Sequence, residues 1–374
     1  MAATARDSCN TSCGMMAEGA QHWRQNSPNL DILRAVAVLT VVVDHLVPTL
    51  VFHGYEVPRL VQLLTLHIGH AGVLAFFVHT SLVLMYSLER TSGTGTGAWF
   101  RRFYLRRGFR IYPLALTCVV AVVAFGLPEG SWKEYRAPTW EEITANLLLI
   151  QNLWTGHSVL TPLWSLPYEV EMYIVLPVLY LVARRSDALR WLAYLMVTAV
   201  IGGYVFRKLQ HGHMNLAAYV PCFLAGVICY ALRERITPKL SGRWWPLVVL
   251  GAVTTYCVAH TVSESLIYWY GWLYCIGIAS LIPLFADSQI HWLNRAAERV
   301  ATYSYGIYLL HVPALHIVFT VWQPGSLVLA LALFLALTAV LAVVAYHVIE
   351  APMIRLASRS GRRRPSPVTT TAAP

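Results

Sequence analysis

The chain has 374 residues, of which 57% are hydrophobic and only 12% are charged, and its formal net charge is +10. This composition leaves too little polar surface to cover a soluble core, so it excludes a water-soluble single-domain protein and predicts a polytopic membrane protein. The positive charge then reflects orientation in a membrane, and we expect no nucleic-acid partner.

The sequence predicts an all-α bundle of about ten transmembrane helices. Apolar runs long enough to span a bilayer occur at residues 30–50, 67–88, 111–127, 163–183, 189–206, 215–232, 244–261, 266–286, 300–320 and 327–350. Ten spans put both termini on one side of the membrane. If the N-terminus is cytoplasmic, the segments on that side, together with Arg190 at the edge of a span, hold 22 of the 28 Lys and Arg residues, so both termini are predicted to be cytoplasmic.

Three parts are expected along the chain. Residues 1–29 form a cytoplasmic tail, residues 30–356 form the transmembrane domain, and residues 357–374 form a basic tail too poor in apolar residues to fold alone. The one long outside connection is predicted between Leu127 and Thr161.

The first span carries two ionisable side chains, Arg34 and His45. Eleven helical steps return to within roughly 20° of the starting azimuth and advance about 16 Å, so both side chains share one face of the helix. Ionisable groups in hydrocarbon are costly, which makes both residues functional candidates. The alternative is that Arg34 extends to the membrane surface and His45 bonds to a neighbouring helix.

A second group of polar residues lies in the segment PLWSLPYEVEMYIVLP. Ser165, Glu169 and Tyr173 follow a four-residue spacing and are predicted to share a helix face, whereas Glu171 points away from it. For Glu171, and less so for Glu169, the alternative is an acidic residue that stabilises the start of a helix.

An arginine cluster, FRRFYLRRGFR, precedes the third predicted span. Arg101 and Arg102 need no role beyond retaining the connecting segment in the cytoplasm. Arg110 sits at the membrane boundary, where a guanidinium can bind an anionic ligand held in the bundle.

Histidines recur elsewhere in the spans. His67 and His70 have a helical spacing that suits a metal, but no third ligand with a clear spacing accompanies them, so no metal site is expected. The sequence assigns no role to His79, His311 or His347.

Taken in order, these segments resemble the acyltransferase type 3 family of bacterial integral membrane acyltransferases. The resemblance lies in LDILRAVAVLTVVVDH, FFVHTSLVLMYSL, FYLRRGFRIYPLAL, PLWSLPYEVEMYIVLP, SYGIYLLHVP and YHVIEAPMI, and it covers residues 30–356. The chain departs from the family pattern at Ile32, Asp44 and Glu171, and Asp44 places a carboxylate beside His45.

The resemblance implies a multi-pass enzyme of the bacterial cytoplasmic membrane that transfers an acyl group to a hydroxyl. His45 would act as the base or carry the acyl group itself, and Arg34 would contact the donor or set the potential of the cavity. The implied donor is cytoplasmic acyl-CoA, most simply acetyl-CoA, used as a co-substrate with no permanently bound cofactor. Its phosphates would contact Arg106, Arg107 and Arg110.

The implied acceptor is a carbohydrate on the outer side, such as a surface polysaccharide, lipopolysaccharide or lipid-linked sugar. Glu169 would bind its hydroxyls or relay a proton to His45. The substrate contacts are expected to include four further residues, Asp44, Trp164, Ser165 and Tyr173. The alternative function is a proton-coupled transporter or polysaccharide exporter that uses the same charges as relays. A membrane-bound O-acyltransferase of the other superfamily is disfavoured because its histidine and polar-loop pattern is not evident.

Overall fold

A computed structural model describes residues 27–91, 96–209, 216–263 and 266–360. The residues predicted to form most of the N-terminal tail, and residues 361–374 of the C-terminal tail, lie outside the described residues. Within the described ranges the chain is helical, and no strand is present beyond one isolated bridge between Leu240 and Phe285.

The long helices agree with the predicted spans. Nine of the described helices are long and apolar enough to cross a membrane, and a tenth apolar helix, Leu216–Leu232, is shorter. The helices are α1 Pro28–Phe52, α2 Arg59–Thr65, α3 Ile68–Thr91, α4 Thr96–Phe125, α5 Trp140–Leu148, α6 Leu166–Ala183, α7 Ala188–Leu209, α8 Leu216–Leu232, α9 Trp245–Val262, α10 Ile267–Leu281, α11 His291–His316, α12 Leu327–Ala345 and α13 Ala351–Ser360. The protein is therefore a multi-pass membrane helix bundle.

Helix α1 packs against α3 and against α11. The contact with α3 depends on Gly72, because a Cβ atom there would lie 2.3 Å from Thr40 Oγ1 and 2.4 Å from the carbonyl oxygen of Ala37. Such close approach of backbones at small residues is typical of helix packing in membranes. This contact fixes the rotation of α1, and the face that carries Arg34 and His45 lies toward α11.

Helix α4 begins much earlier than the sequence analysis predicted. The span was placed at residues 111–127 with a connecting segment before it, whereas α4 is continuous from Thr96 to Phe125. Arginine is a good helix former, and no proline interrupts the chain before Pro113, so charge alone does not end the helix. The arginine cluster therefore lies on a helix, where neighbouring residues point about 100° apart.

The predicted outside connection contains a short helix, and a backbone hydrogen bond joins its two ends. Its short helix α5 is capped at the N-terminus by Thr139, whose side chain and that of Glu142 form a reciprocal capping box. Further along the segment, the backbone amide of Thr161 donates to the carbonyl oxygen of Glu129 at 2.8 Å. The segment then enters α6 through a 3₁₀ turn, Thr161–Ser165.

Candidate active site

Helices α1 and α11 share two polar contacts along their interface. Arg34 Nε donates to Ser304 Oγ at 2.7 Å, and His45 Nδ1 lies 2.7 Å from His311 Nε2. Ser304 and His311 are two helical turns apart and share one face of α11. Arg34 and His45 are three turns apart and share one face of α1. Arg34 thus bonds inside the bundle instead of extending to the surface, while His45 does bond to a neighbouring helix.

Arg34 lies in a cavity of about 120 Å³, which we call the arginine cavity. Its lining residues come from α1, α3, α4, α11 and the start of α6. Its polar lining consists of Arg34, His79, Thr80, Arg107, Arg110, Ser165, Glu169, Tyr173, Ser304, Tyr305 and Tyr308.

The arginine cavity has an excess of positive charge. Arg110 is ion-paired with Glu350, a buried residue from the π-helical turn that follows α12. For Arg34 and Arg107, no carboxylate oxygen lies within 4.0 Å among the described residues. Arg107 Nε is buried and has no hydrogen-bond partner within the same part of the chain. Two guanidinium groups are therefore available to an anionic ligand.

Among the described residues, Glu169 is the one carboxylate that lines the cavity, and it is held by its own helix. Tyr173 Oη donates to Glu169 Oε1 at 2.6 Å, one turn along α6. Ser165 Oγ lies one turn before Glu169 and 2.7 Å from Tyr308 Oη of α11. The three residues predicted to share a face of α6 thus all line the arginine cavity. Glu171 points elsewhere and accepts from Asn152 Nδ2.

The second site is the histidine pair, His45 and His311, beyond Tyr308 along α11. The centres of the two imidazole rings lie 5.0 Å apart, and the ring planes are nearly parallel, with an angle of 3° between them. Trp132, from the long connection after α4, stacks on His45 at 4.9 Å. His45 is 6% exposed and His311 is completely buried. The pair is therefore enclosed by packed rings and does not line the arginine cavity.

Asp44 contacts the histidine pair from the side of α3. Its Oδ1 accepts from the backbone amide of Gly69 at 3.0 Å, and its Oδ2 lies 3.7 Å from His45 Nε2. Adjacent residues on a helix point in different directions, yet the two side chains converge here because Asp44 is fixed by α3.

Besides Asp44, two predicted substrate contacts lie outside the arginine cavity. Arg106 is next to Arg107 in sequence but does not line the cavity, because one helical step turns its side chain away. Trp164 packs in an aromatic cluster with His70, Tyr168 and Tyr219.

Several residues of the two sites were not assigned a role from sequence. His311 and His79 were noted only as histidines in apolar spans, and that placement was the available signal. Ser304 and Tyr308 gave no signal, since serine and tyrosine are common in membrane helices. Trp132 lies in the connection, and its stacking on His45 depends on how that connection folds.

Comparison with known sequences identifies the family. The profile of the acyltransferase type 3 family, described as an acyltransferase domain, matches residues 27–347. The chain belongs to this family. It is therefore a membrane enzyme that transfers acyl groups, and the alternative of a transporter loses its support.

Curated relatives of this family are similar over most of the chain. The acyltransferase MdmB of Streptomyces mycarofaciens is 27% identical, over 90% of this chain and 93% of its own length. Nodulation protein 10 of Rhizobium leguminosarum bv. viciae is 24% identical, over 93% of this chain and 99% of its own length. The peptidoglycan O-acetyltransferase OatA of Listeria monocytogenes is 25% identical over 90% of this chain, which spans only 57% of the relative's length. No solved structure matches the chain.

Proposed function

We propose that this enzyme transfers an acyl group, most simply acetyl, from cytoplasmic acyl-CoA to a hydroxyl of an extracytoplasmic or lipid-linked carbohydrate. The observation that carries the proposal is the face of α1 on which Arg34 lines a cationic cavity and His45 is held against His311. The peptidoglycan O-acetyltransferase among the relatives supports acetyl as the group and a carbohydrate as the acceptor.

The arginine cavity is the proposed donor site. A CoA thioester carries phosphates, and guanidinium groups bind phosphate with paired, charge-assisted hydrogen bonds. Arg34 and Arg107 are free of carboxylates in the described structure, and Arg110 is held in place by Glu350. A volume of about 120 Å³ holds a part of such a donor and not the whole molecule. The remainder would extend from the cavity.

His45 is the proposed general base. It would take the proton of the acceptor hydroxyl as that oxygen attacks the thioester carbonyl carbon. The new carbon–oxygen bond forms, the carbon–sulfur bond breaks, and the proton passes from His45 to the sulfur of the departing CoA. Positioned acid–base groups contribute about 10²- to 10⁴-fold to such reactions. The enclosed site also excludes water, which would otherwise hydrolyse the thioester.

The enzyme itself provides the test. In a strain that depends on this chain for acetylation of its surface carbohydrates, we expect His45→Ala to lower base-labile acetate by at least about 100-fold, as expected for loss of a general base. Membrane content of the variant protein, measured by immunoblot, should be unchanged.

The matched control is His53→Ala, because His53 follows the last turn of the same helix and contacts Phe52 and Phe319 rather than His311. It should retain acetylation. Wild-type acetate in the His45→Ala strain would exclude His45 as the base. If the strain with the wild-type chain carries another acyl ester and no acetate, the transferred group is that acyl group and not acetyl.

A further inference from the structure

We propose that His311 is a positioning residue that fixes the tautomer of His45 and so makes Nε2 the atom that accepts the acceptor's proton. This inference rests on the proposed function of His45 as base. It follows from the chain of hydrogen bonds that begins at the backbone of α11.

The first hydrogen bond in this chain determines which ring nitrogen of His311 carries the proton. Its Nδ1 lies 2.9 Å from the carbonyl oxygen of Ile307, one turn earlier on α11. A carbonyl oxygen only accepts hydrogen bonds, so Nδ1 of His311 must carry the proton. In a neutral imidazole the other nitrogen, Nε2, then has a lone pair and can only accept.

The second hydrogen bond determines which ring nitrogen of His45 carries the proton. Its Nδ1 lies 2.7 Å from the accepting Nε2 of His311, so Nδ1 of His45 must be the donor. A neutral His45 with its proton on Nδ1 has its lone pair on Nε2. That nitrogen is the one available to take a proton from a substrate hydroxyl.

The packing prevents the alternative arrangement. A half-turn of the His45 ring would break its bond to His311, and a half-turn of the His311 ring would break both bonds. Neither ring has room to turn, because His311 is completely buried and Trp132 stacks on His45. When Nε2 takes up the proton, the resulting imidazolium still donates from Nδ1 to His311. Asp44 Oδ2, at 3.7 Å from Nε2, lies on the side where the new charge forms.

Two substitutions separate the accepting role of His311 from its volume. In His311→Gln the side-chain carbonyl oxygen can still accept from His45 Nδ1, whereas in His311→Leu nothing can. We expect His311→Leu to lower acetylation by about 100-fold, the lower limit for loss of a general base, and His311→Gln to remain within about tenfold of the wild type. His316→Leu, five residues further along α11, is the matched control and should have no effect.

The direct readout is the tautomer of His45, from long-range ¹H–¹⁵N spectra of the full-length, histidine-labelled protein in detergent. The His45 signals are assigned by their loss in His45→Ala. We expect the proton on Nδ1 in the wild type and in His311→Gln, and a mixture of tautomers in His311→Leu. A wild-type His45 with its proton on Nε2 would overturn the proposal.

The proposal would also fall if His311→Leu kept wild-type acetylation, or if it lost activity while the His45 tautomer stayed unchanged. Equal loss in His311→Gln and His311→Leu would overturn it as well. Activity in His45→Ala would instead remove the proposed function, whatever the tautomer, so the two failures are distinguishable.

Discussion

The arginine cavity and the histidine pair are built on the same two helices, but they differ in how their polar atoms are satisfied. The cavity contains about 120 Å³ of space and two guanidinium groups without a carboxylate neighbour among the described residues. The histidine pair is closely packed, since His311 is completely buried and Trp132 stacks on His45, and three of its four ring nitrogens take part in hydrogen bonds. The first site is arranged to receive a charged ligand, and the second is arranged to hold one nitrogen in place.

The distance between the two sites follows from α1 alone. Eleven helical residues separate Arg34 from His45, which is about 16 Å along the axis. Tyr308 of α11 lines the cavity and lies one turn before His311, so the wall of the cavity continues toward the histidine pair. A donor anchored at the arginines would reach His45 along this wall. Variants at either site should therefore affect different kinetic steps.

The largest expected effect concerns membrane topology, that is, which side of the membrane each of the two sites faces. The distribution of Lys and Arg predicts that the Glu129–Trp132 side is extracytoplasmic and the Arg34 end cytoplasmic. In a background with Cys9→Ser and Cys13→Ser, Glu134→Cys should react with a membrane-impermeant maleimide in intact cells. Lys239→Cys should react only after lysis. Both positions are exposed, and the five cysteines of the described residues are buried.

The reverse labelling pattern would place the arginine cavity on the side away from cytoplasmic acyl-CoA. The donor site would then have to be sought elsewhere, and the comparison between the two sites would lose its assignment of donor and acceptor.

The next largest effect tests whether Arg34 acts through specific guanidinium contacts or only through its positive charge. Arg34→Lys keeps the charge but removes the planar guanidinium, which can bond to Ser304 and to a phosphate at the same time, and a charge-assisted hydrogen bond to the ligand is worth about 1.5–3 kcal/mol. We expect the apparent KM for acetyl-CoA to rise roughly 10- to 100-fold in purified enzyme, since about 1.4 kcal/mol corresponds to tenfold.

Arg106→Lys is the control for this measurement, because Arg106 belongs to the same predicted arginine cluster but does not line the cavity. Its KM should match the wild type. A normal KM in Arg34→Lys would mean that charge alone is required at this position.

The sequence was sufficient for features that depend on one helix. Hydrophobic length located the spans, helical periodicity placed Arg34 and His45 on one face, and the four-residue spacing of α6 grouped Ser165, Glu169 and Tyr173. Each of these predictions uses only the geometry of a single helix.

Features that depend on contacts between helices could not be predicted in this way. Predicting that Arg107 lines the cavity and Arg106 does not requires knowing where α4 begins and how it is rotated. The sequence had instead predicted a connecting segment for both arginines. Glu350 pairs with Arg110 across 240 residues of sequence, and His311 meets His45 across 266. No local pattern encodes such pairings, because they arise from the packing of α1, α4, α11 and α12.

The smallest expected effect is at Trp132, which covers His45 from the long connection. Trp132→Ala would remove the ring stacked at 4.9 Å on the imidazole and open the histidine pair to water. Water that reaches the base competes with the acceptor hydroxyl for the thioester. We expect a rise of several-fold in CoA release from acetyl-CoA without acceptor, measured with a thiol reagent, and a matching loss of acetate on the surface carbohydrate.

Trp140→Ala is the matched control, since Trp140 lies in the same connection but is 82% exposed. Trp132→Phe should fall between the two, because a phenyl ring can still stack on the imidazole while covering less of it. Unchanged CoA release in Trp132→Ala would show that water is excluded by the helices and not by the connection. The rigid enclosure of the histidine pair, in contrast to the open arginine cavity, would then be a property of α1 and α11 alone.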